Sequence, residues 1–183
     1  MIREKYPYTI TIHDKPFTLR LMTAQDRDVI LYFAQHLPET DLSFMRRDIT
    51  QPEAVDAWIR DVQSNRAVTI LVEDQGNMVG YGTLYFNQLF WNRHLAEVRV
   101  LISSTHRNWG LGTRLMRDLT QFAQELKLDK VIVYMAVEND SARRMTTDLG
   151  FKAEAILADW VKTRDNRTHD LLIMSMALSE MHN

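Results

Sequence analysis

Residues 100–119, VLISSTHRNWGLGTRLMRDL, decide how the rest of the chain is read. An apolar run of strand length ends in a polar turn holding Arg107, Gly110 and Gly112, and a segment with helical period follows at once. That order builds an anion cradle, because glycines let the backbone turn tightly while the first N–H groups of the helix, unpaired within it, point at whatever occupies the turn. It predicts a phosphate-rich ligand, although a glycine pair between a strand and a helix also serves as a plain tight connection.

The flanks support a strand, glycine turn, helix and strand unit. Leu111, Leu115, Met116, Leu119, Phe122, Ala123 and Leu126 recur at three- and four-residue intervals, with Arg114, Arg117, Asp118, Gln121 and Glu125 on the opposite face. Residues 96–102 alternate and are rich in β-branched side chains; residues 130–137, KVIVYMAV, are an almost continuous apolar run. Two strands joined through one helix are most simply parallel neighbours, which puts the turn at the carboxyl end of the first, where α/β sheets hold ligands. The turn lacks the Gly-Lys-Ser/Thr of a P-loop and the third glycine of a dinucleotide fold.

With 183 residues, 45% hydrophobic and 25% charged, the chain can bury one sizeable core, and we expect a single domain over 1–183 with residues 1–15 as an N-terminal strand extension. A formal net charge of -2 gives no bulk reason for a nucleic-acid partner, though Arg107, Arg114, Arg117, Arg143 and Arg144 offer a local positive patch. The absence of cysteine excludes disulfides and a thiol nucleophile and fits a reducing cytoplasm. No apolar run reaches membrane-spanning length and the start has no signal core, so a cytoplasmic protein without a membrane partner is expected. None of the six histidines stands in H-x-H or H-E-x-x-H spacing, so no metal is expected.

Elsewhere, residues 8–12 and 17–22 read as strands about the turn at 13–16. Thr23 caps a helix with the stripe Val29, Ile30, Phe33, Ala34 and Leu37, stopped by Pro38. Thr50 and Glu53 have capping-box spacing for a helix burying Val55, Trp58, Ile59 and Val62. Residues 39–47 between these helices form a packed connection, with a mobile lid as the alternative. Residues 67–73 and 78–86 form a hairpin about 74–77, residues 153–162 and 169–176 another about 163–167, and a short helix capped near Asn139 ends at Gly150. The fold class is α/β with an α+β mixed sheet: mostly antiparallel, a parallel pair in the middle, helices on both faces. Trp91 and Trp160 fall in or beside loops; His106 reads as an exposed turn residue, with added charge beside the glycine turn as the alternative, and the pair His169-Asp170 as a hairpin end in solvent, with a ligand contact as the alternative.

From about Phe17 to Leu178 the chain resembles the GNAT superfamily of acyl-CoA-dependent N-acyltransferases. The residues that carry the likeness are Arg107-Asn108-Trp109-Gly110-Leu111-Gly112, matching the family's Q/R-x-x-G-x-G/A loop, and, about thirty residues on, Asn139 and Ala142 with Leu149-Gly150-Phe151, matching its N-x-x-A and L-G-F segment. The resemblance implies a GNAT fold that moves an acetyl group from acetyl-CoA, its cosubstrate, to a primary amine by direct attack in a ternary complex. It implies that backbone groups of Val100, Leu101 and Ile102 pair with the pantetheine arm, and that an N–H near Leu101 meets the oxyanion. Arg107, Asn108, Trp109, Gly110, Leu111, Gly112 and Thr113 would hold the pyrophosphate through main-chain N–H groups, and Asn139, Ser141 and Ala142 would lie beside the pantetheine. Asn139 is equally suited to capping the helix.

A protonated amine with a pKa of about 10.4 must lose a proton before it attacks, which requires a base or a water relay. Glu97, where many GNAT enzymes carry a glutamate, is the candidate; a surface carboxylate paired with a neighbour such as Arg99, on the same strand face, is the alternative. The tyrosine often found seven residues after the asparagine is replaced by Thr146, and Tyr134, inside an apolar strand, reads as core. That replacement keeps open a non-catalytic acyl-CoA sensor of the same fold. The acceptor, a small amine or a peptide, is left to residues 39–51 and 159–170, whose charges are mixed. Exposed strands late in the chain fit a homodimer.

Overall fold

The computed structural model describes residues 2–178, so His182 lies outside the described part. In chain order the elements are β1 (Tyr8–Ile12), β2 (Lys15–Leu21), α1 (Arg27–Gln35), α2 (Glu39–Leu42), α3 (Pro52–Gln63), β3 (Ala67–Asp74), β4 (Asn77–Phe86), β5 (Leu95–Ile102), α4 (Leu111–Glu125), β6 (Lys130–Ala136), α5 (Asp140–Asp148), β7 (Lys152–Lys162) and β8 (Thr168–Ala177). The strands form one sheet in the order β1-β2-β3-β4-β5-β6-β8-β7. Only β5 and β6 run parallel; each other neighbouring pair is antiparallel. The mixed sheet expected from the sequence is therefore the one observed.

Each face of the sheet has its own core. On one, Leu111, Leu115, Leu119 and Phe122 of α4 pack on Val68, Ile70, Leu84 and Val98 of the strands; each fully buried leucine contributes about 1.5–3 kcal/mol. On the other, Ile30, Phe33 and Ala34 of α1 meet Val55, Trp58 and Ile59 of α3 over Leu71 and Tyr81. The Trp58 indole N–H donates to Thr69 Oγ1 at 3.0 Å, so the one polar edge of that side chain is satisfied inside the core.

Three local expectations are corrected. Val29 is 39% exposed, because the stripe Ile30, Phe33, Ala34 and Leu37 sets the core-facing arc and Val29 lies about 100° to one side of it. The third helix starts at Pro52 with Gln51 as N-cap, whereas Thr50 donates its hydroxyl to Asp48 at 2.6 Å; proline, with φ preset and no N–H to satisfy, takes the first helical position. Asp118, assigned to the polar face of α4, is only 2% exposed. The N-terminal segment folds over it, with Lys5 Nζ at 2.9 Å, Tyr6 OH donating at 2.7 Å, and Tyr8 OH donating as well.

Candidate active site

β5 and β6 pair over three positions, Leu95↔Lys130, Ala96↔Val131 and Glu97↔Ile132. Beyond Glu97 the two strands separate: β5 continues to Ile102 bonded only to β4, and β6 continues to Ala136 bonded only to β8. Apart from the Ile102 carbonyl, which Arg107 Nε reaches, the facing edges beyond Glu97 and Ile132 carry no ladder hydrogen bonds among the described residues, the condition under which an extended ligand adds as a strand. A cleft of about 1250 Å³ opens from this wedge and is lined by every site residue expected from the sequence except Trp109.

At the open end of the wedge the chain turns through Asn108 at φ 65° and Gly110 at φ 76°, both left-handed, and enters α4. The Arg114 N–H bonds to the Gly110 carbonyl at 3.0 Å, so the N–H groups of Leu111, Gly112 and Thr113 precede the first intrahelical bond and face the turn. A Cβ on Gly112 would meet Met145 Sδ at 3.4 Å and Val100 Cγ1 at 3.8 Å, which narrows the approach to those donors. Trp109 turns away, its ring edge-on to Phe17 and His13. Leu111 is core, so both residues can offer the cleft only their backbone.

Arg107 is held by two partners, its Nε donating to the Ile102 carbonyl at 3.2 Å and its Nη2 to the buried Asp41. Asp41 also accepts from the Ser104 N–H at 3.2 Å, so α2 is tied to the glycine turn. Arg114 is taken up by Tyr8 and Arg143 by Asp140, which leaves no free basic face at those positions. Asn139 caps α5, its Oδ1 accepting from the Ala142 N–H at 3.1 Å. Thr146 belongs to the cleft wall but is wholly buried, its hydroxyl committed to the Ala142 and Arg143 carbonyls.

Glu97 stands where the strands part. Arg99 Nε donates to its Oε1 at 2.6 Å and Arg46 Nη1 donates to the same oxygen, while Oε2 accepts no hydrogen bond among the described residues. The Arg99 guanidinium lies 4.5 Å from the Tyr85 ring centre and that of Arg46 5.0 Å from the Tyr134 ring centre. Burial pushes the Tyr81 and Tyr85 phenols above their ordinary range, so both stay protonated at neutral pH.

Tyr134 therefore faces the cleft, contrary to the core assignment; its neighbours Val133 and Met135 point to the α4 side, and strand alternation sends it to the other. Arg46 comes from the connection between α1 and α3, which is packed down by Phe44 edge-on to His169 and by Arg164 reaching Glu39 at 3.2 Å and Asp48 at 2.7 Å. Nothing in the sequence signals Arg46, which meets Glu97 across 51 positions. His106 and His169 are half-buried, not exposed: His106 Nε2 lies 3.0 Å from Asp74, and His169 Nδ1 3.2 Å from Glu138.

No group of three or more histidine, cysteine, aspartate or glutamate side chains able to hold a metal ion occurs among the described residues. No helix among them is long and apolar enough to cross a membrane.

Two parallel strands that part over a glycine turn, with a cleft between them, define a class: mixed α/β proteins that receive a ligand at the open end of a splayed sheet. The profile of the acetyltransferase (GNAT) family matches residues 31–151. This chain belongs to that family. Similar solved structures include yncA from Salmonella typhimurium with its cofactor acetyl-CoA, 22% identical over 88% of this chain and 94% of that one, TM-score 0.76. A spermidine N-acetyltransferase from Vibrio cholerae in complex with CoA and spermine is 22% identical over 91% of this chain and 98% of that one, TM-score 0.76. A ribosomal-protein-alanine N-acetyltransferase from Brucella melitensis is 21% identical over 87% and 98%, TM-score 0.73. The likeness at these identities is one of fold. No curated protein sequence matches significantly.

Proposed function

We propose that this chain transfers an acetyl group from acetyl-CoA to a primary amine by direct attack within a ternary complex. The separation of β5 from β6 after Glu97 and Ile132 is the observation that carries this proposal, since it leaves a strand edge for the pantetheine amides directly above a turn of free N–H groups. In it, Val100, Leu101 and Ile102 pair with the pantetheine, the backbone of residues 107–113 holds the pyrophosphate, and Asn139, Ser141 and Ala142 close the far wall. Arg107 contributes by fixing the turn through Asp41 and Ile102, its side chain being committed to both. The single domain spans the chain, with residues 1–15 as its extension, and a homodimer would form along the outer edge of β7, where Ile156 and Trp160 are exposed.

The free amine attacks the thioester carbonyl, forming the C–N bond; the C–S bond then breaks and CoA leaves as thiolate. An N–H near Leu101 meets the oxyanion. Glu97 Oε2 takes the amine proton, directly or through water, and bulk solvent returns one to the thiolate. With a thiol pKa of about 8.5, CoA departs without a dedicated acid, consistent with the burial of Thr146.

Calorimetry with acetyl-CoA, paired with a thiol-release assay over an amine panel, tests both halves of this proposal, and the cysteine-free chain adds no thiol background. Gly110→Val forces a branched side chain into a left-handed residue and should weaken acetyl-CoA binding by about tenfold or more. Unchanged affinity in that variant overturns the placement of the pyrophosphate. Binding without amine-dependent thiol release identifies a sensor.

A further inference from the structure

The acceptor half of the cleft carries an excess of guanidinium groups. Arg46, Arg47 and Arg99 line it, with Glu97 among them. Arg46 and Arg99 share one oxygen of Glu97. The partner of Arg47, Asp61 at 3.2 Å, also answers Arg66 at 3.0 Å. Of the three other carboxylates on the cleft wall, Asp41 is engaged by Arg107 and Glu138 by His169, while Asp148 is the last residue of α5. Arg99 is the most telling of the three. It uses Nε on Glu97, its two Nη groups donate to nothing among the described residues, and its side chain, 28% exposed, lies over the Tyr85 ring at 4.5 Å from the ring centre.

A guanidinium that is fixed, partly desolvated and left with two parallel N–H edges suits a planar oxyanion, which it can bind through two bonds at once. A polyamine would bring further cations against three arginines, and like charges in such a site are penalised. We propose that the acceptor is an amino-carboxylate, a small molecule whose reacting primary amine and carboxylate lie a few bonds apart, with the amine toward Glu97 and the carboxylate on Arg99 and Arg46. The proposal rests on the acetyl-transfer function above and names the substrate class of the same site.

The test compares kcat/KM, per free-base amine, for several apolar amino acids, their carboxamides, their decarboxylated amines and spermidine. We expect the carboxylates to exceed the matched carboxamides by about ten- to hundredfold, the scale of a hydrogen-bonded charge pair. Arg99→Met should bring that ratio close to one through KM, Arg99→Lys should restore part of it, and Arg46→Gln, on the outer connection, should lower it independently of how β5 tolerates substitution. Carboxamides or spermidine turning over as fast as the carboxylates, or a ratio unmoved in both Arg99→Met and Arg46→Gln, overturns the proposal while leaving acetyl transfer in place. Acetyl-CoA binding with no turnover of any amine overturns acetyl transfer and the proposal together.

Discussion

Glu97 is held through one oxygen by two guanidinium groups and its other oxygen accepts no hydrogen bond among the described residues, so in the proposed reaction orientation and proton acceptance would fall to the two halves of one carboxylate. In Glu97→Gln the amide oxygen still accepts from Arg46 or Arg99, but the group no longer takes a proton. We predict a fall in kcat of about a hundredfold or more, the usual contribution of a general base, with acetyl-CoA affinity unchanged. An unchanged kcat in the variant would mean that Glu97 only anchors the arginines. Glu97 and Arg99 were legible in the sequence as same-face neighbours on an alternating strand. Arg46 was not, because its place depends on how the connection between α1 and α3 lies across the sheet.

Periodicity revealed α4 and the strands on either side because each buries one face against a continuous core, and burial imposes its own spacing on the sequence. It failed at Asp118, where the spacing assigns a carboxylate to solvent and a distant segment covers it instead. Capping-box spacing failed at Thr50, where a proline two residues on decides the helix start. How closely α4 approaches the sheet is set by Gly82 of β4, whose missing Cβ would stand 2.8 Å from Leu119 Cδ1 and 3.2 Å from Leu115 Cβ. The first contact relaxes by a rotamer change; the second involves an atom fixed to the helix backbone. Gly82→Ala is therefore expected to destabilise by about 1–3 kcal/mol. Thermal unfolding should show it as a drop of about 2–4 °C for each kcal/mol, and an unchanged midpoint would mean that the helix shifts without cost.

Across the whole molecule, the link between the chain's start and its centre is polar. Tyr6 and Tyr8 both donate to Asp118 on α4, and Arg114 donates to the Tyr8 oxygen, a cluster joining positions more than a hundred residues apart that local sequence patterns do not reveal. Burial, then the hydrogen bond to Asp118, pushes the Tyr8 phenol up to about 12, and the same two causes raise Tyr6. An unfolded tyrosine titrates near pH 10, so between roughly pH 10 and 12 the unfolded chain has released phenolic protons that the folded one retains. The folded state then binds more protons, and the slope of stability with pH is negative. This contribution is complete below about pH 10 and is lost as pH rises through the folded values. We predict that the urea midpoint of the native protein falls more steeply between pH 9.5 and 11 than that of Tyr8→Phe. At pH 7 the variant should be less stable by about 1–3 kcal/mol, for loss of a hydrogen bond to a charged partner. Parallel alkaline slopes in the two proteins would show that the Tyr8 phenol titrates alike in both states, leaving Lys5 and Tyr6 as the polar ties of the N-terminal segment to Asp118.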